Sequence, residues 1–198
     1  YMIKMRSIFR LLFSIFLFMI IGYINELFSI NRFQHDFIYD IGLRFLPQFN
    51  NIIANIIFGT FLVTFLIRWA ISNLRVILQF FSLLNIVFFL RVIAFNLTLL
   101  PPIIKECNNV IPNRPIKWLF FYEETCTDYI FSGHVSFSVL MSLFTYYYSD
   151  YLIEKIVYIL FALFEMVIVV ATRTHYSVDS YLACVICILI FHNFILNG

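Results

Sequence analysis

Six long apolar segments constrain the fold of this chain more than any other feature of its sequence. Each approaches the roughly 20 residues that a helix needs to cross about 30 Å of hydrocarbon. The segments run from Ile8 to Phe28, Asn51 to Trp69, Val76 to Leu100, Phe131 to Tyr148, Ile156 to Thr172 and Val178 to Leu196. Hydrophobic residues make up 63% of the 198 residues and charged residues only 12%. A soluble domain could not bury so much apolar surface, so the composition predicts an integral membrane protein.

The pattern within the segments favours helices over the strands of a membrane barrel. Phe, Ile, Leu and Val follow one another without the two-residue alternation that lipid-facing and lumen-facing strand positions produce. No polar stretch is long enough to act as a linker. We therefore predict an all-α membrane protein in which residues 1–198 form a single domain, a bundle of six transmembrane helices.

The basic residues predict the orientation of this bundle. Three of them, Lys4, Arg6 and Arg10, lie before or at the start of the first segment, and the next is Arg32, which favours a cytoplasmic N-terminus. No small-residue cleavage site follows, so we expect the first segment to be retained as a span. Three loops then share the opposite face of the membrane. They are Ser29–Asn50, Pro101–Ile130 and Arg173–Ser177.

This topology brings the unusual polar residues to one membrane face. His134 lies one turn into the fourth segment, His175 lies in the loop before the sixth, and Arg91 lies in the outer part of the third. Ionisable residues near a bilayer are costly to bury and are functional candidates by default. The simpler alternative is that each histidine caps a helix or donates to a buried carbonyl. The joint pattern favours a functional site.

His175 and Asp179 are four residues apart, so they share a face if the sixth helix begins near His175. The carboxylate can then hydrogen-bond the imidazole, fix its tautomer and leave the other ring nitrogen free to attack or to accept a proton. His134 can supply the proton that a leaving alkoxide requires. A metal site is the rival interpretation, but two His and one Asp without a Cys/His cluster at ligand spacing disfavour it.

Ser132 and Gly133 complete the polar entrance to the fourth helix. Ser132 can cap this helix, whose first N–H groups then favour a phosphate. Gly133 suits a backbone that turns or passes close to a ligand. Together with the histidines, these residues predict phosphoryl-type chemistry on a lipid.

Two motifs carry a resemblance to a known family. CTDYIFSGH, from Cys126 to His134, and HYSVD, from His175 to Asp179, resemble motifs of the sphingomyelin synthase family, which lies within the lipid phosphate phosphatase superfamily. The segment LRVIAFNLTLLPP, from Leu90 to Pro102, is similar to the arginine-containing segment of that family. Thr127 stands where the family usually has glycine.

The resemblance implies a six-span fold with an active site on the luminal or extracellular face and a catalytic triad of His134, His175 and Asp179. It implies a sphingomyelin synthase-like phosphotransferase without a metal or organic cofactor. Such an enzyme moves a phosphocholine, phosphoethanolamine or phosphoinositol headgroup from a glycerophospholipid to ceramide and releases diacylglycerol. It would reside in the Golgi, the endoplasmic reticulum or the plasma membrane. The predicted substrate-binding residues are Arg91, Asp128, Ser132, Gly133 and Arg173, of which the two arginines would balance charge on the phosphate.

Other functions stay open at this point. A phospholipase C-like hydrolase would use water in place of ceramide, and a related transferase would pass the headgroup to diacylglycerol. Lys105 and the Arg114-Pro115 pair do not have the K-x6-R-P spacing of lipid phosphatases, which disfavours a phosphomonoesterase. A non-enzymatic membrane scaffold or transporter is the third alternative. The net charge of +2 is not gathered into a basic block, so no nucleic-acid partner is expected.

Three smaller features receive no assigned role. Cys107 and Cys126 share an outer loop in which an oxidising lumen would permit a disulfide. Asp36 and Asp40 either attract a cationic headgroup or lie on the solvated face of a short interfacial helix. Glu165, inside the fifth segment, must be protonated, paired or beside water. The headgroup preference and the oligomeric state are not assigned either.

Overall fold

The structure, a computed structural model, describes residues 9–21, 39–98, 100, 103 and 130–196. All the regular secondary structure of these residues is helical. The helices are α1 (Phe9–Ile21), α2 (Ile41–Phe45), α3 (Asn51–Ser72), α4 (Leu74–Leu97), α5 (Gly133–Tyr148), α6 (Leu152–Ala171) and α7 (Ser177–Phe191), the last continuing as a π-helical turn over His192–Leu196. Each of the six predicted apolar segments therefore contains a helix within the described residues, and α2 is an additional short one.

Three of these helices are long and apolar enough to cross a membrane. They are Asn51–Ser72, Leu74–Ala94 and Ser177–Leu196. The other three helices that match predicted segments do not meet this standard, each for its own reason. The described part of α1 is short, α5 has only 16 residues, and α6 contains Glu154, Lys155 and Glu165. An all-helical protein with three candidate spans is thus established for the described residues, and the count of six spans stays a prediction.

Asparagine side chains start α3 and α4. Asn50 accepts a hydrogen bond from the N–H of Ile52 at 2.8 Å and so caps α3. Asn73 both ends α3, by donating its N–H to the Trp69 carbonyl, and starts α4, by accepting from the N–H of Arg75. These contacts satisfy helix-end groups that would otherwise lack partners. The connection between α3 and α4 is consequently a single residue.

Helix α5 lies at the centre of the bundle. It contacts α3, α4, α6 and α7, and ten of its 16 residues are buried, including three serines. The hydroxyl of Ser136 donates to the carbonyl of Ser132, and that of Ser138 donates to the carbonyl of Val135. Small residues that hydrogen-bond within their own helix allow neighbouring helices to approach closely. Surrounded by protein, α5 can be shorter than a lipid-facing span, at about 24 Å.

Phenylalanines from three helices form the middle of the core. Phe65 of α3, Phe80 of α4 and Phe144 of α5 are fully buried. The ring of Phe80 lies 4.9 Å from that of Phe65 and 5.9 Å from that of Phe144. Between helices in lipid, packing contacts of this kind replace the hydrophobic force that assembles soluble cores.

The bundle has two chemically different ends. At one end, the Nε of Arg68 donates to Glu154 at 3.0 Å, and the hydroxyl of Ser149 donates to the same carboxylate at 2.6 Å. This cluster joins the end of α3 to the turn between α5 and α6. At the other end, the N–H of Phe49 donates to the carbonyl of Ala171 at 3.0 Å, where α3 begins and α6 ends. The candidate site lies at this second end.

Candidate functional site

A backbone hydrogen bond joins the two histidine motifs. The N–H of Ser132, just before α5, donates to the carbonyl of Asp179 in the first turn of α7 at 3.3 Å. Because the bond links main-chain atoms, it fixes the start of α5 relative to the start of α7 whatever the side chains do. His134 and His175 are thereby carried to the same end of the bundle.

His134 is the second residue of α5 and is half-buried. Its imidazole packs edge-on against the ring of Phe58, with the ring centroids 4.5 Å apart. It interacts electrostatically with both His175 and Arg91. Side chains from α3, α4 and the turn between α6 and α7 therefore surround this imidazole.

A tight turn between α6 and α7 positions His175. Arg173 adopts a left-handed backbone conformation with a φ of 63°, which ends α6 abruptly. The N–H groups of Thr174 and His175 both donate to the carbonyl of Val169 at 3.2 Å. His175 is buried, with 6% of its surface exposed. The turn thus presents the imidazole from a short and well-bonded segment.

His175 and Asp179 would share a helix face only if the sixth helix began near His175, and the structure does not place the start of the helix there. Helix α7 begins at Ser177, so His175 lies in the turn before it. The Oδ2 atom of Asp179 accepts a hydrogen bond from the N–H of Tyr176 at 2.9 Å, which places the carboxylate at the helix end. The same oxygen lies 3.8 Å from Nδ1 of His175. The two groups are at ion-pair distance, longer than a hydrogen bond.

The other oxygen of Asp179 is available for a further contact. Its Oδ1 atom is buried and accepts no hydrogen bond from the part of the chain that the structure describes. A buried acceptor without a donor is costly. A small rotation of the Asp179 or His175 side chain, or a bound ligand that donates a hydrogen bond, would give this oxygen a partner.

Tyr176, between the histidine and the helix, is a structural residue. Its side chain is almost fully buried. Burial, together with the nearby carboxylates of Asp179 and Asp40, raises the pKa of Tyr176 to about 12. The phenol therefore stays neutral at physiological pH and is not a general base.

Arg91 connects α4 to the entrance of α5. Its Nε donates to the carbonyl of Phe131 at 2.8 Å, and its guanidinium lies over the ring of Phe88 at 5.7 Å. The side chain is buried and interacts electrostatically with His134 and Asp179. The structure therefore places Arg91 at the same end of the bundle as His134 and Asp179, and its predicted role in substrate binding stays a prediction.

Arg173 has a structural contact that the sequence did not indicate. Its Nη2 donates to the carbonyl of Leu46 at 2.9 Å, which ties the turn to the segment after α2. Its Nη1 is buried and has no hydrogen-bond partner within the described residues. One arm of the guanidinium thus holds the turn, and the predicted role of the other arm in charge balance stays a prediction.

The remaining predicted site residues fall into two groups. Ser132 is buried and caps α5, since its Oγ accepts from the N–H of Val135 at 3.3 Å. Gly133 does not have a positive φ, and an added Cβ there would lie 3.4 Å from Phe88, so no unusual backbone conformation requires glycine. Asp128 lies outside the described residues, as do both cysteines of the suggested disulfide. Among the residues that are described, no three His, Cys, Asp or Glu side chains gather as a metal site.

One residue near the site was not recognised in the sequence as part of it. Both carboxylate oxygens of Asp40 accept hydrogen bonds from Ser177, the first residue of α7. These two residues are 137 positions apart in the chain. No local pattern could indicate such a pair. An aspartate before a short helix was the only available signal.

Comparison with known proteins agrees with this geometry at the level of a superfamily. A family model described as PAP2 superfamily C-terminal matches residues 125–195, which contain α5, α6, α7 and both histidine motifs. A search of curated proteins found no match. The family match supports the lipid phosphate phosphatase superfamily and phosphatase or phosphotransferase chemistry. It covers about a third of the chain and does not single out the sphingomyelin synthase family within that superfamily.

Proposed function

We propose that this protein transfers a phosphorylated headgroup from a glycerophospholipid to ceramide and releases diacylglycerol. The observation that carries the proposal is the hydrogen bond from Ser132 to Asp179, which brings the two histidine motifs to one end of the bundle. The PAP2 superfamily match over the same residues supports phosphoester chemistry at this place. The choice of ceramide as acceptor rests on the resemblance of the two motifs to those of sphingomyelin synthases.

In the first step, the imidazole of His175 attacks the phosphorus of the donor lipid. A nitrogen–phosphorus bond forms while the bond from phosphorus to the diacylglycerol oxygen breaks. Asp179, 3.8 Å from Nδ1, stabilises the positive charge that develops on the ring. His134 gives a proton to the departing oxygen. Diacylglycerol leaves, and the headgroup phosphate stays on His175.

In the second step, ceramide replaces diacylglycerol. His134 removes the proton from the primary hydroxyl of ceramide, and the resulting oxygen attacks the phosphorus. The nitrogen–phosphorus bond breaks, and His175 is regenerated. Every atom is accounted for, because the headgroup phosphate moves from one lipid hydroxyl to another.

Two features of the entrance to α5 favour a phosphate there. The first N–H groups of a helix have no partners within it and attract anions. Arg91 adds a fixed positive charge beside them. We assign Arg91, Ser132 and Gly133 to phosphate binding on this basis, and we assign Asp128 and Arg173 to substrate binding on the resemblance.

The membrane topology belongs to the proposal. We propose that α1 and α3 to α7 each cross the bilayer and that the site faces the lumen or the exterior of the Golgi, the endoplasmic reticulum or the plasma membrane. Arg68 and Arg75, which lie at the opposite end of the bundle, support a cytoplasmic position for that end. Both lipid substrates would enter from the outer leaflet.

A donor panel in liposomes tests the function. Purified protein is supplied with labelled ceramide and, separately, with phosphatidylcholine, phosphatidylethanolamine or phosphatidylinositol. We expect one donor to yield a new labelled sphingolipid and an equal amount of diacylglycerol. The variant His175→Ala should form neither product. His192→Ala, which changes an exposed histidine in the last turn, is the matched control and should retain full activity.

The same assay separates the alternatives. Release of a free phosphorylated headgroup without a new sphingolipid would identify a phospholipase C-like hydrolase. Formation of a new glycerolipid with diacylglycerol as acceptor would identify the related transferase. Folded protein that turns over no donor at all would contradict the enzymatic proposal and favour a scaffold or transporter.

A further inference from the structure

The carboxylate of Asp40 bridges two helices at the candidate site. Its Oδ1 accepts from the N–H of Leu43 at 3.0 Å, which caps α2. Oδ1 also accepts from the hydroxyl of Ser177 at 2.8 Å, and Oδ2 accepts from the N–H of Ser177 at 2.9 Å. One side chain therefore caps α2 and also binds the first residue of α7. A carboxylate at this position is further stabilised by the positive end of the α7 dipole.

Further contacts fasten the same segment to the turn that carries His175. Nη2 of Arg173 donates to the carbonyl of Leu46, and the N–H of Phe49 donates to the carbonyl of Ala171. At Gly42, an added Cβ would clash with the hydroxyl of Ser177 and lie 2.9 Å from Val170. The segment from Asp40 to Phe49 is thus bonded at both of its ends to the turn between α6 and α7.

The position of Ser177 makes this contact relevant to chemistry. Ser177 lies two residues after His175 and two residues before Asp179, so a displacement of its backbone moves both groups. The 3.8 Å separation of Nδ1 and Oδ2 leaves little tolerance for such a displacement. A shift of about 1 Å in a reacting group can lower the rate by on the order of 100-fold.

We infer that Asp40 is a positioning residue that holds His175 and Asp179 in register with His134. Both oxygens of Asp40 already accept hydrogen bonds from the protein, which argues against a role in attracting a cationic headgroup. The inference rests on the proposed function, because it concerns the rate of the reaction assigned to these histidines. Asp40 itself does not contact the reacting atoms in this account.

Steady-state kinetics of three variants test the inference. Asp40→Ala removes all three hydrogen bonds. Asp40→Asn keeps one oxygen but places an NH₂ group opposite the N–H of Ser177. Asn50→Ala is the matched control, because Asn50 also caps a helix on this side of the bundle and its capping hydrogen bond stays within α3. Turnover is measured in liposomes per amount of folded protein, which is determined by size-exclusion chromatography.

We expect kcat of Asp40→Ala to fall on the order of 10- to 100-fold while the donor KM changes little, because phosphate binding at α5 is left intact. The kcat of Asp40→Asn should lie between that of Asp40→Ala and that of the unsubstituted protein. A merely structural role would lower the yield of folded protein and leave kcat per folded molecule unchanged. Asn50→Ala should show at most this second behaviour.

The outcomes distinguish the inference from the proposed function. If the unsubstituted protein transfers headgroups and Asp40→Ala keeps the kcat of Asn50→Ala, the inference is wrong and the function stands. If the unsubstituted protein transfers nothing, the proposed function is wrong. Should Asp40→Ala not fold, Ser177→Ala removes only the hydroxyl contact, and an unchanged kcat in both Ser177→Ala and Asp40→Asn would overturn the inference.

Discussion

Asp179 is the residue at which the separate parts of the site meet. Its carbonyl accepts from the backbone of Ser132, one carboxylate oxygen accepts from the backbone of Tyr176, and the same oxygen faces His175. The side chain therefore has a structural role at the start of α7 and an electrostatic role toward the imidazole. These two roles can be separated by substitution.

Asp179→Asn should remove the electrostatic role and preserve the structural one. The amide oxygen can still accept from Tyr176, so we expect the melting temperature in detergent to change by only a few degrees. Without a negative charge beside the imidazolium, headgroup transfer should fall on the order of 100-fold or more. The matched control is Asp150→Asn, which alters an exposed aspartate at the other end of the bundle. Near-normal transfer by Asp179→Asn would contradict the role of the carboxylate.

The sequence indicated the polar residues of the site but not all of their contacts. His175 and Asp179 are close in sequence, and a charged residue in an apolar chain is conspicuous, so local spacing was informative. The contact that anchors the start of α7 was not predictable in this way, because the N–H of Ser177 donates to Asp40, which lies 137 positions away in the chain. Hydropathy alone predicted the start of this helix to within one residue, at Val178 instead of Ser177.

At the scale of elements, the turn between α5 and α6 is held by charge. Glu154 accepts from Arg68 of α3 and from Ser149, before the predicted start of the fifth span at Ile156. Partial burial disfavours the charged form of Glu154 and would by itself raise the pKa of this carboxyl group. The two hydrogen bonds outweigh that effect and hold the pKa of Glu154 below its usual value of 4.5. The cluster joins helices that are not neighbours in sequence.

Glu154→Gln should lower stability in a pH-dependent manner. A carboxyl group with a lowered folded-state pKa stabilises the protein fully above its unfolded pKa and loses this effect as the pH falls through the lowered value. The melting-temperature difference between the two proteins should therefore be constant near pH 7 and vanish in strong acid. Because the pair is partly exposed, we expect it to contribute about 1 kcal/mol or less. A double-mutant cycle with Arg68→Gln checks the coupling, and a difference that grows on acidification would contradict it.

Hydropathy predicted where the helices lie, but it did not predict which of them face lipid and which face other helices. Each predicted segment contains a helix within the described residues, because runs of Phe, Ile, Leu and Val leave the backbone no other way to satisfy its polar groups in lipid. The central location of α5 was not predicted. Its serines are compatible with burial against other helices, but sequence alone does not distinguish a protein-facing helix from a lipid-facing one.

The proposed topology of the whole molecule requires the two ends of the bundle to lie on opposite sides of a membrane. Tyr39, beside α2, and Tyr151, in the turn before α6, are both well exposed. After replacement of the native cysteines by serine, Tyr39→Cys and Tyr151→Cys provide single labelling sites. In sealed vesicles of one orientation, an impermeant maleimide should label one of them directly and the other only after permeabilisation. Labelling of both from the same side would rule out the proposed topology.

The proposed mechanism requires the imidazoles of His134 and His175 and the Asp179 carboxylate to act on one phosphorus atom. The most direct measurement is a rapid-quench experiment with a donor lipid labelled at its phosphorus, followed by mapping of the label on the protein. We expect label on His175 before any product sphingolipid appears and transfer of this label to ceramide when ceramide is added. The His175→Ala variant should carry no label. Headgroup transfer without a labelled protein, or with label on a residue remote from His134 and Asp179, would contradict it.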